Sequence, residues 1–441
     1  MRPRKVGIVV GGGPAPGINA VIGAATIEAI NQGLEVVGFL DGFRWLTSEK
    51  FDPAKHAMKL EINQVARIHF EGGAILRTSR TSLLDEKTLS EKVRVAPDPK
   101  KVGRVLENLR KLGVDGLITI GGDDTALSAR FVSEASNGAI RVVHVPKTID
   151  NDLPLPADVP TFGFSTARYI GTLLTKNLMR DSQTTGRWYL VQAMGRTAGW
   201  LAMSIGVSAG ATVTLIPEEF PAHTRLSLIV DVLEGSMIKR QVMGRPDGVA
   251  LIAEGLAYRL GDAEELSRLL GYQVPLDAAG HPRLSEVDLA AILKRELERR
   301  FKERGQKITI VAQEIGYELR SADPTPYDMG YCRMLGYFST QVLLNGETPQ
   351  SMISLNNGNL QPIPFSDMID PETNRTRTRV VNLKSDIYRV SRAYQIRLDR
   401  NDLDNVETLT RLAETAGISP ADFKQRFEEA VQLFNGRMTQ T

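Results

Sequence analysis

Short, continuously apolar runs alternate with helical patterns along most of this chain, and that rhythm restricts the fold more than any other feature. Val6–Val10, Leu34–Phe39, Asp115–Ile120, Arg141–Val145, Trp188–Met194, Thr212–Ile216 and Val249–Ala253 read as strands. Between them Asn19–Asn31, Val102–Leu112, Thr125–Ala135, Thr166–Asp181, Ala198–Val207 and Leu226–Lys239 read as helices. The strand runs do not alternate apolar with polar. That is the pattern of parallel strands covered on both faces, which need crossover helices. The expected class is α/β, with open sheets wrapped by helices.

A length of 441 residues allows two or three domains and a large core. Lys plus Arg number 54 against 52 Asp plus Glu, a formal net charge of +2, which supplies no case for a nucleic-acid or membrane-surface partner. A single cysteine, Cys332, excludes an internal disulfide framework and a cysteine-rich zinc site and fits a reducing, cytoplasmic setting. The basic start Met1–Lys5 before Val6–Val10 superficially resembles a secretory signal, but the run ends in Gly11-Gly12-Gly13-Pro14-Ala15-Pro16-Gly17. No signal helix tolerates those residues, so a first buried strand is expected. No run approaches the roughly 20 apolar residues of a membrane helix. Residues 257–306 depart from the rhythm and carry a highly charged helix ending near Arg304-Gly305, expected to be a solvated surface helix. Lys307–Ile315 is expected to resume as a buried strand, and the more polar region after about residue 370 ends in a helix, Pro420–Leu433.

Three strand ends carry chemistry. The first strand enters the glycine-rich turn Gly11–Gly17, where backbone N–H groups can approach an anion at a helix N-terminus; a tight turn needed only for packing is the alternative. It is neither a Walker A loop nor a dinucleotide fingerprint. Strand Leu117–Ile120 ends in Gly121-Gly122-Asp123-Asp124-Thr125. Plain N-capping accounts for one aspartate; a ligand or metal role accounts for two glycines plus two aspartates. Mg²⁺ is typically held by one or two carboxylates plus substrate phosphates, which makes Asp123 its natural residue. Strand Arg141–Val145 ends in Pro146-Lys147-Thr148-Ile149-Asp150-Asn151-Asp152, one loop with a cation, a hydroxyl and carboxylates. Phosphoryl transfer to a hydroxyl needs such a set; a structural Asx-rich turn is the alternative.

These segments, followed by Met194-Gly195-Arg196, Glu254-Gly255 and Gly316-Tyr-Glu-Leu-Arg320, resemble the phosphofructokinase family over roughly residues 5–370. The resemblance implies two Rossmann-like domains with mainly parallel sheets flanked by helices and the active site in the interdomain cleft. It implies a phosphoryl-donor domain of 1–161 plus 321–370 and a fructose-6-phosphate domain of 162–320 plus 371–441, with a helical insertion at about 257–306. By motif, Asp150 resembles the proton acceptor for the 1-hydroxyl of fructose 6-phosphate, flanked by Thr148, Ile149 and Asp152. Asp123 resembles the Mg²⁺ aspartate, and Gly13 the glycine whose amide meets the donor. Met194, Gly195, Arg196 and Glu254 resemble the sugar site, and Tyr317, Glu318, Leu319 and Arg320 the segment holding the 6-phosphate. Arg187 resembles the arginine lent to a neighbouring subunit, implying a homodimer or higher homo-oligomer. Arg80 resembles an arginine reaching the transferred phosphoryl, where a bidentate fork suits phosphate oxygens.

The resemblance also bears on the donor. ATP-using members commonly have glycine where this chain has Asp124; pyrophosphate-using members have the aspartate. A carboxylate there would face a nucleotide's α-phosphate. Two unit charges about 4 Å apart repel by about 4 kcal/mol at an effective dielectric of about 20. Half of that costs more than about tenfold in affinity. Lys147 offers charge to the pyrophosphate oxygens as phosphate leaves, and Pro14 replaces an aspartate of the ATP enzymes. The expected reaction is reversible transfer from pyrophosphate to fructose 6-phosphate, giving fructose 1,6-bisphosphate and phosphate. Rival expectations are an ATP-dependent enzyme on the same fold and a non-catalytic regulatory subunit. Gly23 and Ile27 stand where regulated members carry effector arginines, implying little allosteric control, and Val311 stands where bacterial ATP enzymes have a 6-phosphate arginine. His56, His69, His144, His223 and His281 show no metal spacing.

Overall fold

In the computed structural model, the described residues are 2–85, 88, 94–156, 159–260, 267–268, 271–274, 287–346 and 350–438, the last five without their side chains. The chain divides into two compact units, Met1–Ala167 with Tyr317–Arg379, and Arg168–Gly316 with Val380–Thr441. The divisions fall at 167/168, 316/317 and 379/380 rather than at the expected 161/162, 320/321 and 370/371, so Tyr317–Arg320 belongs to the first unit.

The first unit is built on β1 (Lys5–Val10), β2 (Glu35–Phe39), β3 (Ala57–Lys59), β4 (Gly116–Gly121), β5 (Arg141–Thr148), β6 (Phe162–Gly163), β11 (Gln350–Met352) and β12 (Ile363–Pro364). Its sheet runs β12-β11-β5-β4-β1-β2-β3, with β6 on β5. The central pairs are parallel; only β3 and β12, at the edges, are antiparallel. Val6, Ile8, Val9 and Val10 have no exposed surface, as strands covered on both faces require. Helices α1 (Ile18–Asn31) and α3 (Asp123–Ala135) follow the ends of β1 and β4, and α2 (Pro99–Lys111) leads into β4. α1 packs on Pro326–Asn345, where a Cβ on Gly336 would lie 2.5 Å from the Val21 carbonyl. Gly336 is therefore what lets the two helices approach.

β5 is longer than expected. It continues through Pro146 to Thr148 because β6 adds parallel partners, Lys147 to Phe162 and Thr148 to Gly163. The chemistry-bearing residues Lys147 and Thr148 thus sit on a strand and are buried, not on a loop.

The second unit has a four-stranded, wholly parallel sheet in the order β10-β7-β9-β8, from β7 (Trp188–Ala193), β8 (Val213–Leu215), β9 (Gly248–Ala253) and β10 (Ile310–Ile315). β10 is an edge strand, and Gln313 and Glu314 are exposed, so the expectation of a buried strand holds only in part. The charged helix of the 257–306 excursion, Leu289–Glu303, is not a solvated appendage. Leu289, Ile292, Leu293, Leu297 and Phe301 form one buried face in the core with Trp188, Phe423 and Phe427. Its i, i+3, i+4 spacing outweighs its charge count. The same buried face carries Arg300, which pairs with Asp231 at 2.6 Å and with the fully buried Glu234 at 2.9 Å. Residues 261–266, 269–270 and 275–286 of that excursion, with His281, lie outside the described residues.

Candidate active site

In the first unit the three chemistry-bearing strand ends are neighbours, because β5, β4 and β1 are adjacent in the sheet. Strand order reverses beside β1, and the crevice at such a switch point is where open α/β sheets bind ligands. Gly11 N donates to Ile120 O at 2.8 Å, and added Cβ atoms on Gly11 and Gly121 would both strike Thr125, at 2.3 and 2.4 Å. The glycines are there because the two turns close over one threonine. The segment carrying Arg80 joins them: Gly12 N donates to Ser79 O at 2.8 Å, and Thr78 Oγ1 donates to Gly12 O at 2.5 Å. Arg80 itself is exposed.

Gly122 is the N-cap of α3, so Asp123 and Asp124 are its first two helical residues and neither side chain is spent as the cap. Plain N-capping does not account for them. Asp123 is half-buried and Asp124 exposed. His144, fully buried on β5, stands behind this turn. Its Nε2 lies 3.1 Å from Gly121 O and its Nδ1 2.9 Å from Thr119 Oγ1. Burial pushes its pKa down to about 3, against the smaller opposing effect of the Gly121 carbonyl. A neutral ring with Nε2–H donating to Gly121 and Nδ1 accepting from Thr119 satisfies both contacts. In the sequence His144 shows only an absence of metal spacing; its cross-strand pairing with Thr119 is a register fact invisible in one dimension.

Lys147 is buried and its Nζ donates to Gly13 O at 2.5 Å, while a Cβ on Gly12 would lie 3.2 Å from Nζ. On the other side of the same glycine a Cβ on Gly13 would lie 3.6 Å from the Arg320 guanidinium carbon. Two cations therefore flank the first turn. Tyr317 backs Arg320, its ring centroid 5.2 Å from the guanidinium carbon. Glu318 is exposed, while Leu319 is fully buried and Ile149 nearly so. A ligand would meet those last two through backbone, not side chain.

Asp150, Asn151 and Asp152 are each 7% exposed. Asp150 N donates to Thr148 Oγ1 at 3.0 Å, and Asn151 adopts a left-handed φ of 59°. Thr161 closes the loop, donating its N–H to Asn151 Oδ1 at 3.0 Å and its hydroxyl to Thr148 O at 2.7 Å. Sequence reasoning missed the roles of Asn151 and Thr161, and missed Arg379, whose guanidinium reaches the Asn151 carbonyl from more than 200 positions away.

The second unit assembles its own cluster at the C-terminal ends of β7, β9 and β10. Buried Glu254 accepts from Gly195 N at 3.1 Å and Arg196 N at 2.7 Å through one oxygen. That carboxylate holds a turn in which Arg196 has φ 52°, rare for a residue with a Cβ. Met194 covers Gly316, where a Cβ would lie 2.4 Å from Met194 Cγ. The Arg196 side chain is exposed. Arg187 is not brought to this cluster. It precedes β7 at the opposite end, about 20 Å away at about 3.3 Å per strand residue.

No group of three or more His, Cys, Asp or Glu among the described residues is arranged to hold a metal ion. One or two hard carboxylates completed by substrate oxygens is the arrangement Mg²⁺ prefers, and Asp123 with Asp124 fits it. No helix among the described residues is long and apolar enough to cross a membrane.

A family model described as phosphofructokinase matches residues 5–343. The chain belongs to the phosphofructokinase family. This phosphofructokinase is 51% identical over 431 residues to a pyrophosphate–fructose 6-phosphate 1-phosphotransferase of Thermotoga maritima, covering 97% of this chain and 99% of that one. It is 44% identical over 435 residues to a protein of the same name from Naegleria fowleri, covering 97% and 96%. In fold it is similar to a pyrophosphate-dependent phosphofructokinase structure from Marinobacter aquaeolei, with a TM-score of 0.62 at 17% identity over 94% of this chain and 92% of that one.

Proposed function

We propose that this phosphofructokinase transfers a phosphoryl group from pyrophosphate to the 1-hydroxyl of fructose 6-phosphate, reversibly and with little allosteric control. Full-length relatives bear that activity in their names, and the observation that carries the donor choice is Asp124 as the second residue of α3, beside Asp123. A second carboxylate at that helix start opposes a nucleotide's inner phosphate and leaves pyrophosphate unopposed.

Asp150 accepts the proton of the 1-hydroxyl as the oxygen–phosphorus bond forms. The anhydride bond breaks and phosphate departs with the electron pair. Lys147, set at the Gly12–Gly13 turn, and Arg80 stabilise charge on the transferring group, and the Gly13 amide orients the donor. Asp123 would hold Mg²⁺, which when bound supplies charge neutralisation to the pyrophosphate oxygens. Thr148, Met194, Gly195, Arg196 and Glu254 orient the sugar; Tyr317 and Arg320 hold its 6-phosphate. Arg187, remote from its own unit's cluster, serves a second copy of the chain in a homodimer or larger assembly. A cytoplasmic location accords with the buried lone thiol of Cys332.

Initial rates with pyrophosphate and with ATP at equal concentration test this directly. Turnover with pyrophosphate, abolished by EDTA and restored by Mg²⁺, is expected; turnover with ATP alone would overturn it. Asp124→Gly should raise kcat/KM for ATP more than about tenfold.

A further inference from the structure

We propose that Arg379 is a positioning residue for phosphoryl transfer, holding the main chain beside Asp150 so that the carboxylate meets the sugar hydroxyl. The inference rests on the reading of Asp150 as proton acceptor and adds a residue outside every motif of the active site.

The loop after β5 has little regular structure to hold it. Asp150 is aimed by a left-handed residue, Asn151, directly after it. Arg379 grips that residue twice: Nε donates to the Asn151 carbonyl at 3.1 Å, and Nη2 donates to Asn151 Oδ1. Nη1 spans to the far side of the same loop, donating to Pro156 O at 3.0 Å and Val159 O at 2.8 Å. The Arg379 backbone N–H adds a bond to Asp152 O at 2.7 Å, which survives any side-chain change. A guanidinium is the one side chain with enough donors in a fixed plane to bridge both sides of such a loop.

The anchor is itself fixed. Arg377 N donates to Met368 O at 2.9 Å, Thr376 pairs with Ile369, and Asn374 Nδ2 donates to Val95 O at 2.6 Å. Burial lowers the Arg379 pKa, with Asp152 as the principal opposing charge. These guanidinium bonds go to neutral acceptors, so the cation is spent on loop geometry. Misplacing a catalytic group by about 1 Å can cost about 100-fold.

The test uses the full-length enzyme with pyrophosphate and Mg²⁺. Arg379→Ala should lower kcat by about 100-fold with both KM values little changed. Arg379→Lys should be intermediate. Millimolar guanidinium should restore much of the lost kcat to Arg379→Ala while leaving wild type unaffected. Asn151→Gly keeps the left-handed backbone and deletes the Oδ1 acceptor shared by Arg379 and Thr161, so it too should lower kcat. A kcat within twofold of wild type, a loss confined to KM, or absent guanidinium rescue in Arg379→Ala would each overturn the proposal. Should Arg379→Ala not fold, unchanged kcat in both Arg379→Lys and Asn151→Gly overturns it equally. Asp150→Asn retaining full kcat would instead remove the underlying reading, which the Arg379 series does not touch.

Discussion

The two strand-end clusters solve different problems on the same architecture. In the first unit, β1, β4 and β5 end in segments that deliver side-chain charge: Lys147 at the Gly12–Gly13 turn, Asp123 and Asp124 at the start of α3, and Asp150 in the loop after β5. In the second unit, β7 and β9 deliver shape: Glu254 spends a carboxylate oxygen on the amides of Gly195 and Arg196 to hold a strained turn. The contrast fits the chemistry. Phosphoryl transfer develops charge that cations and a base must meet, whereas a sugar must be held in one orientation.

The comparison breaks most sharply at Asp150. Asp150→Asn should cut kcat by at least about 100-fold with KM for fructose 6-phosphate little changed, measured in steady state. A parallel rise in KM with kcat intact would make the first cluster a binding site like the second. Next in size is Glu254→Ala, which strands two buried N–H groups and should lower unfolding stability by about 3 kcal/mol in chemical denaturation. Glu254→Gln keeps an acceptor oxygen and should recover most of that; equal losses in both variants would show that the negative charge, not the hydrogen bonds, supports the turn.

His144 tests whether the first cluster's framework is a neutral scaffold. Its folded pKa of about 3 lies below the usual histidine value near 6.5, so between these limits only the unfolded chain binds the proton. Stability is therefore complete above about pH 6.5 and is lost as the pH falls, by roughly 2 kcal/mol at pH 5. Thermal unfolding of His144→Gln should show a flatter acid limb than wild type; parallel limbs would refute the assignment. The smallest effect belongs to Arg196→Gly. Glycine relieves the left-handed strain and should leave stability unchanged or raised by about 1 kcal/mol, while KM for fructose 6-phosphate rises. Loss of both together would mean that the Arg196 side chain supports the fold.

The sheet strands were legible because burial on both faces leaves a continuous apolar run, as in Val6–Val10 and Val249–Ala253. The candidate residues of the first unit were found in the sequence because they stand at strand ends: a glycine turn follows β1, and glycines and carboxylates follow β4. The Leu289–Glu303 helix was misjudged because its charged positions outnumber its apolar ones, although the apolar ones share a face. β5 was cut short at Pro146, since nothing local reveals that β6 extends its ladder.

Local sequence thus sufficed for the α/β class, through periodicity, and for the strand-end motifs that carry Lys147, Asp123, Asp124 and Asp150 and the family resemblance. These depend on contacts within a few residues, where periodicity and turn chemistry act. Folding in three dimensions decided which groups support them: His144 beneath Gly121, Glu254 beneath Arg196, and Arg379 across the Asn151 loop. Each is a pairing between distant segments, set by strand register and core packing, and none of the three leaves a trace in local sequence.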